Sequence, residues 1–188
     1  MLPNILFYGI PLVLVLIAIG WFISVSNMLN RYQVSITESK ANVDIELAKR
    51  YDTISAMLAS AKSYAKFEKE TLTGLVKLRQ GATIEQTNSA IKAQADVLGR
   101  LLAVAEQYPQ LQSSAQFQQL QAEIDEENEQ LAGAKRVVNS NISVFNQKVV
   151  SFPISVVAEM KRLTQQTFLI EENIEQKREI NNLDFGIE

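Results

Sequence analysis

The chain has 188 residues, a formal net charge of −3 and neither cysteine nor histidine. Beyond a membrane anchor this length provides about one domain, which excludes a large multidomain enzyme. The absence of Cys and His also excludes Cys/His zinc sites, Cys or Ser–His nucleophiles and disulfides. Any remaining chemistry would have to use Asp, Glu, Lys, Ser or Tyr. No P-loop or dinucleotide motif is present, and we expect no metal and no cofactor.

The N-terminus is an uncharged apolar run. No charged side chain occurs from Ile5 to Ser26, and the first one along the chain is Arg31. As a helix, this run is long enough to cross a hydrocarbon core of about 30 Å. A cleaved signal peptide normally starts with a basic stretch, and no Lys or Arg precedes the run. The sequence thus predicts a retained membrane anchor over residues 1–30.

The next stretch has the spacing of a coiled coil. Apolar or small residues fall at alternating gaps of four and three from Leu47 to Leu75, and Glu68 is the single interruption. This spacing predicts a first helical rod over residues 42–79, with Gly81 as its stop.

Two further helices follow the first rod. Thr83 and Gln86 have the spacing of a capping box at the start of the second helix, which Pro109 ends. Ser113 and Gln116 have the same spacing before the third helix. That helix keeps the coiled-coil rhythm as far as Phe152.

Three polar residues occupy positions on the apolar stripes: Glu68, Glu127 and Asn141. They either form a buried polar layer that specifies helix order or mark where the bundle opens to water. For Glu127 we expect a basic partner on the first rod, namely Lys62, Lys66 or Arg79. The other carboxylates of the acidic run 123–129 are interpreted as a solvated helical face, because a di-iron site in a helical bundle would need histidines.

The last predicted helix starts at Pro153 and covers residues 153–180, followed by a tail at 181–188. Its apolar face is wider than a single stripe. Such a face can pack within its own bundle, contact another protomer or lie on a membrane surface. The residues predicted to make an oligomer or membrane contact are Val156, Met160, Leu163, Phe168, Leu169, Ile170 and Ile174.

Strand signals are nearly absent, because β-branched residues are scattered and hairpin turn sequences do not occur. The predicted fold class is all-α. An N-terminal transmembrane helix continues into an elongated antiparallel bundle of three to four long helices, with the bundle proper at residues 31–152.

Two long blocks resemble the LemA family: "NVDIELAKRYDTISAMLASAKSYAKFEKETL" at 42–72 and "LLAVAEQYPQLQSSAQFQQLQAEIDEENEQLAGAKRVVNSNISVFNQKVVSFP" at 101–153. With the anchor, the resemblance covers roughly residues 5–160. It implies a bacterial single-pass membrane protein with an elongated helical body and no catalytic residues. A more distant similarity links this family to the magnetosome membrane protein MamQ. The chain departs from the family pattern at Val138, where an aromatic often precedes the Asn, and after Pro153, where the family usually closes.

The function expected from these features is a membrane-anchored, non-enzymatic scaffold that assembles laterally and organises or shapes membrane. The alternative is an adaptor or sensor that docks another envelope protein, such as a protease or kinase. Expected partners are the lipid bilayer, further copies of the chain and an unidentified envelope protein, but no nucleic acid. The Lys/Arg bias, with Arg31 and Lys40 after the span and none before it, predicts a cytoplasmic body at a bacterial inner membrane.

Overall fold

The computed structural model describes residues 2–64 and 82–170, with side-chain surroundings from residue 9 onward. All regular structure in these residues is helical: α1 Leu2–Ala61, α2 Ile84–Gln107, α3 Pro109–Gln112, α4 Ala115–Val150 and α5 Ile154–Met160. No strand occurs within those two ranges. The predicted all-α class is therefore confirmed.

Helix α1 carries both the apolar run and most of the predicted first rod. It is a single helix of 60 residues, and Pro11 lies inside its N-terminal part. The helix ends at Ala61 in a turn over residues 62–64. The predicted uninterrupted rod is therefore wrong after Ala61, and its continuation over residues 65–79, with Glu68, Lys66 and Arg79, lies outside the described residues.

The chain forms two compact units. Among the described residues, unit 1 combines 2–38 with 140–167, and unit 2 combines 39–64, 82–139 and 168–170. The predicted division into an anchor at 1–30 and a bundle at 31–152 stays a prediction.

The core of unit 2 is an apolar cluster built from α1, α2, α3 and α4. Fully buried α1 residues include Leu47, Ile54 and Ala61, at the spacing that the sequence predicts for this rod. Periodic burial of one face stabilises a helix that would be marginal alone. The cluster consists of Ile54, Met57, Leu58, Ala61, Val97, Leu98, Leu101, Ala105, Leu111, Phe117 and Ile124.

Unit 1 buries a smaller apolar set on the same principle. Its buried apolar residues are Val25, Leu29 and Ile36 from α1, Ile142, Phe145 and Val149 from α4, and Val157 and Ala158 from α5. A hydrogen bond also joins α4 to α1 in this unit, since Asn141 Nδ2 donates to the carbonyl oxygen of Ser35 over 3.3 Å.

Side-chain caps begin two of the predicted helices, α2 and α4. At the start of α2 the capping box is present as predicted: Gln86 N–H donates to Thr83 Oγ1 over 3.3 Å, and Thr83 N–H donates to Gln86 Oε1 over 2.9 Å. The predicted cap of α4 is one residue too early. Ser114 Oγ, not Ser113, accepts the N–H of Phe117, over 3.2 Å.

The predicted C-terminal helix over residues 153–180 is wrong in extent. Helix α5 ends at Met160, and residues 163–170 are non-helical. Arg162 has φ 56°, Leu163 N–H donates to Ala158 O, and Arg162 N–H donates to Glu159 O, both over 2.9 Å. These bonds are those of a Schellman C-cap, which normally has glycine at the left-handed position. Because an arginine occupies it here, the stop signal is invisible in the sequence.

Candidate functional site

Glu127 lies at the inner side of α4 in unit 2, and its partner there is a hydroxyl. Thr53 Oγ1 donates to Glu127 Oε1 over 2.9 Å, whereas Glu127 Oε2 is buried without a hydrogen-bond partner. The expected pairing with Lys62 is wrong, because Thr53 comes from the part of α1 that packs against this level of α4. Burial raises the pKa of Glu127 above its ordinary value, opposed chiefly by the Thr53 hydrogen bond.

The other two predicted polar positions do not join Glu127. Asn141 makes its bond to Ser35 within unit 1, and Glu68 lies outside the described residues. The other carboxylates of the acidic run, Glu123, Asp125, Glu126 and Glu129, are exposed, as expected of a solvated face. Within the described ranges no group of Asp and Glu is arranged to hold a metal ion. The polar layer as a device that specifies helix order stays a prediction.

In unit 1, exposed apolar side chains gather around the turn between α4 and α5. Phe152 is 84% exposed, an unusual value for a phenylalanine. We call these side chains the α4–α5 corner: Val150, Phe152, Val156 and Met160. Val156 and Met160 belong to the predicted contact surface, and the other two were missed, although Phe152 stands in the "SFP" break.

Lys161 fixes the position of this corner on α1. Its Nζ donates to Ser26 Oγ over 2.9 Å and to Asn30 Oδ1 over 2.6 Å, with the Ser26 carbonyl at 3.4 Å. Ser26 is the last residue of the uncharged apolar run. The end of α5 therefore lies beside the end of the apolar run.

Residues 163–170, after α5, are held by asparagine side chains. In unit 1, Asn146 Nδ2 donates to Gln166 O over 2.8 Å, and Gln166 N–H donates to Asn146 Oδ1 over 2.7 Å. One amide side chain thus satisfies both main-chain groups of one residue, as a neighbouring strand would.

Unit 2 repeats this arrangement with two asparagines. Asn139 of α4 donates to Leu169 O over 3.0 Å and accepts from Leu169 N–H over 2.8 Å. Asn88 of α2 donates to Phe168 O over 3.3 Å and accepts from Ile170 N–H over 3.0 Å. We call Asn88 and Asn139 the asparagine clamp. Leu169 is 2% exposed, whereas Phe168 and Ile170 are 47% and 38% exposed.

None of these three asparagines was predicted from the sequence. One signal was available, because asparagine is unfavourable inside helices unless its side chain has a tertiary partner. Asn139 and Asn146 are interior residues of α4 one heptad apart and share a helix face. Among the predicted contact residues, Leu163 is half-buried, Phe168 and Ile170 remain partly exposed, Leu169 is buried, and Ile174 lies outside the described residues.

One helix among the described residues is long and apolar enough to cross a membrane. It is α1, in which an 18-residue window has a mean hydropathy of 2.3 and is almost entirely exposed. No Asp, Glu, Lys or Arg occurs before Arg31. Length and composition thus fit the predicted span.

Comparison with known proteins agrees with these features. The chain is 28% identical to Protein LemA of Metamycoplasma hominis over 160 residues, which is 81% of this chain and 73% of that protein. The model of the LemA family matches residues 39–185. The expected departure from the family after Pro153 is therefore wrong, since the match continues through α5 and beyond. This chain, helical and membrane-associated, belongs to the LemA family.

Proposed function

We propose that this protein is a membrane-anchored, non-enzymatic scaffold whose copies associate side by side and so organise or shape the membrane. The apolar run of α1 is a retained single-pass anchor. The remainder of the chain lies on the cytoplasmic side of a bacterial cell membrane, because Arg31 and Lys40 follow the run while no basic residue precedes it.

The α4–α5 corner is the observation that supports lateral association. Monomeric proteins rarely leave neighbouring large apolar side chains uncovered, and such patches mark contacts with another apolar surface. Lys161 holds this corner beside the end of the apolar run. Copies anchored in one membrane present their corners at one height, so corner can meet corner.

Confinement to a membrane makes weak contacts of this kind sufficient. Anchored copies move in two dimensions, which raises their effective concentration for one another. A contact between identical patches closes into a pair, and a second contact patch on each copy extends the pair into a larger array. The expected product is an array of many copies.

The test is the size of the full-length protein in mild detergent and in lipid nanodiscs, measured by light scattering and electron microscopy. We expect high-order assemblies that the double variant Phe152→Ser, Met160→Ser reduces to smaller species. The matched control is Val137→Ser, which removes an exposed apolar side chain from unit 2, and it should assemble as the wild type does. A monodisperse wild-type monomer in both media would overturn the proposal.

The adaptor alternative predicts a different pattern of cross-links in cells. A scaffold gives a ladder of products that contain this chain alone, and lysine-reactive reagents are suitable because lysines occur along the chain from Lys40 to Lys177. An adaptor gives one discrete product with a second protein. If that single product forms without a ladder, the scaffold proposal is wrong and the adaptor proposal is supported.

A further inference from the structure

The asparagine clamp binds a segment of extended main chain. Four consecutive main-chain groups are bonded: Phe168 O and Ile170 N–H to Asn88, and Leu169 N–H and O to Asn139. Both groups of the central residue point to one side, and the groups of its two neighbours point to the other. This alternation is that of a strand between two partner strands, with an amide side chain in place of each.

The orientation of both amides follows from this bonding. A main-chain N–H only donates and a carbonyl oxygen only accepts, so each asparagine must place Oδ1 on the N–H and Nδ2 on the carbonyl. The clamp therefore selects an extended conformation, in which the four main-chain groups alternate between its two sides.

Side-chain selection rests on a single residue. Leu169 is 2% exposed, but Phe168 and Ile170 keep large parts of their side chains in solvent. The hydrogen bonds of Asn139 and Asn88 involve only main-chain groups of the segment, so these bonds do not select its side chains. The ligand class that fits is an extended peptide with one aliphatic residue at its centre.

The clamp and its segment are far apart in sequence. Asn139 bonds a residue 30 positions away, and Asn88 bonds residues 80 and 82 positions away. The clamp thus contacts this segment as it would contact a separate peptide. The same three residues of a second copy offer the same hydrogen-bonding groups. Exchange of identical elements between protomers is a known low-cost route to association.

We propose that the asparagine clamp is a peptide-binding site, and that its ligand between neighbouring molecules is the segment Phe168–Ile170 of a second copy. Given the proposed function, which brings copies side by side, each exchanged segment links two molecules. In a single molecule the clamp takes its own segment. The chain thus carries both a binding site and the ligand for it.

The decisive experiment mixes two full-length variants in lipid vesicles. Leu169→Asp removes the buried side chain of the segment and keeps the clamp, whereas Asn88→Ala with Asn139→Ala removes the clamp and keeps the segment. Carrying different affinity tags, the two variants should co-purify several times more efficiently than differently tagged copies of either variant alone. In the matched control, Phe168→Asp replaces Leu169→Asp in the mixture. This variant keeps both clamp and segment, and it should associate with the clamp-deficient variant too.

A peptide experiment tests the clamp itself. The probe is a fluorescent synthetic peptide of residues 163–170, added to the full-length Leu169→Asp variant in mild detergent. We expect saturable binding, and a loss of about tenfold when the leucine that corresponds to Leu169 is N-methylated, because its N–H can no longer donate to Asn139. Asn88→Ala and Asn139→Ala, added to the Leu169→Asp variant, should abolish binding.

Two outcomes overturn this inference while leaving the proposed function intact. One is wild-type assembly without any gain in the mixed variants, and the other is a peptide that fails to bind although circular dichroism shows the variant fully helical. If instead the wild type is monomeric, the scaffold is disproved. In that case co-purification of the mixed variants would still support the clamp as a link between copies.

Discussion

Helix α1 contains two stretches that differ in what surrounds them. Between residues 10 and 23 the side chains are apolar on every face and almost all exposed, whereas from residue 43 to 61 apolar side chains are buried on one face and most charged residues lie on the others. A helix that is apolar all round needs an apolar solvent, and an amphipathic one needs a core on one side and water on the other. The two stretches of α1 therefore require different surroundings: an apolar solvent around residues 10–23, and a core together with water around residues 43–61.

The sharpest test of this difference introduces the same charge into both stretches. Ile17 is 62% exposed and Ile45 is 53% exposed. Ile17→Arg should shift the apparent free energy of membrane insertion by about 3 kcal/mol, because an arginine near the centre of a span is poorly solvated by lipid. Ile45→Arg should leave insertion and folding unchanged. A microsomal glycosylation assay measures the inserted fraction of both variants. Equal losses of insertion would contradict the assignment of the two stretches to different environments.

A second test compares two isoleucines within the amphipathic stretch. Ile54 is fully buried in the core of unit 2, and Ile45 faces outward. Ile54→Ala should lower the free energy of unfolding by about 3 kcal/mol, since it removes buried apolar surface and leaves a cavity. Ile45→Ala should change it by less than about 0.5 kcal/mol. Denaturant unfolding followed by circular dichroism gives both values, and similar losses would show that the assigned core face is wrong.

Glu127 of α4 places a carboxylate beside the amphipathic stretch of α1, where it accepts a hydrogen bond from Thr53. Because burial raises the pKa of Glu127, the folded protein binds a proton more readily than the unfolded chain. The contribution of this group to stability is therefore most favourable at acid pH and is lost as pH rises through the raised pKa. Glu127→Gln keeps an acceptor for Thr53 and removes the charge from a partly buried oxygen.

We expect Glu127→Gln to raise the stability by less than about 1 kcal/mol at neutral pH, because solvent screens a carboxylate that is only partly buried, and to change it little at acid pH. Unfolding curves of the wild type and the variant, recorded from acid to neutral pH, measure the difference in their free energies of unfolding. Thr53→Val, which leaves the carboxylate without its donor, should act in the opposite direction at neutral pH. A pH-independent gain would show that burial of the carboxylate is not the cause.

The smallest expected effect lies at the end of α5. Arg162 has a left-handed backbone, which costs a non-glycine residue free energy that glycine does not lose. Arg162→Gly should therefore stabilise unit 1 by about 0.5–1 kcal/mol. Arg162→Ala is the control for loss of the side chain and should not stabilise. Thermal unfolding in detergent would detect the gain, and a loss in both variants would point to a role for the arginine side chain.

The fold could be predicted from the sequence where periodic patterns or local hydrogen bonds decide it. The spacing of Leu47, Ile54 and Ala61 predicted the buried face of α1, and Thr83 with Gln86 predicted the start of α2. Both features depend on residues within one helix or at its end. Patterns of this kind are readable without knowledge of neighbours.

The candidate site was less predictable because it depends on contacts between residues distant in sequence. The apolar residues from Phe168 to Ile170 have helical spacing with Met160 and Leu163, so the sequence favoured a continued helix. The Schellman cap at Arg162 and the amides of Asn88 and Asn139 instead hold this segment extended. No local sequence pattern indicates which distant segment the side chain of an interior asparagine will bond.

The bonds from Lys161 to Ser26 and Asn30 have a consequence for the choice of membrane. Since they tie the α4–α5 corner to a fixed level of α1, Phe152 cannot slide along the helix when the bilayer becomes thicker or thinner. The apolar run must then adapt by tilting, at a modest cost for each ångström of mismatch. For the anchored protein proposed above, this tie predicts a preference for bilayers whose hydrocarbon thickness fits the apolar run.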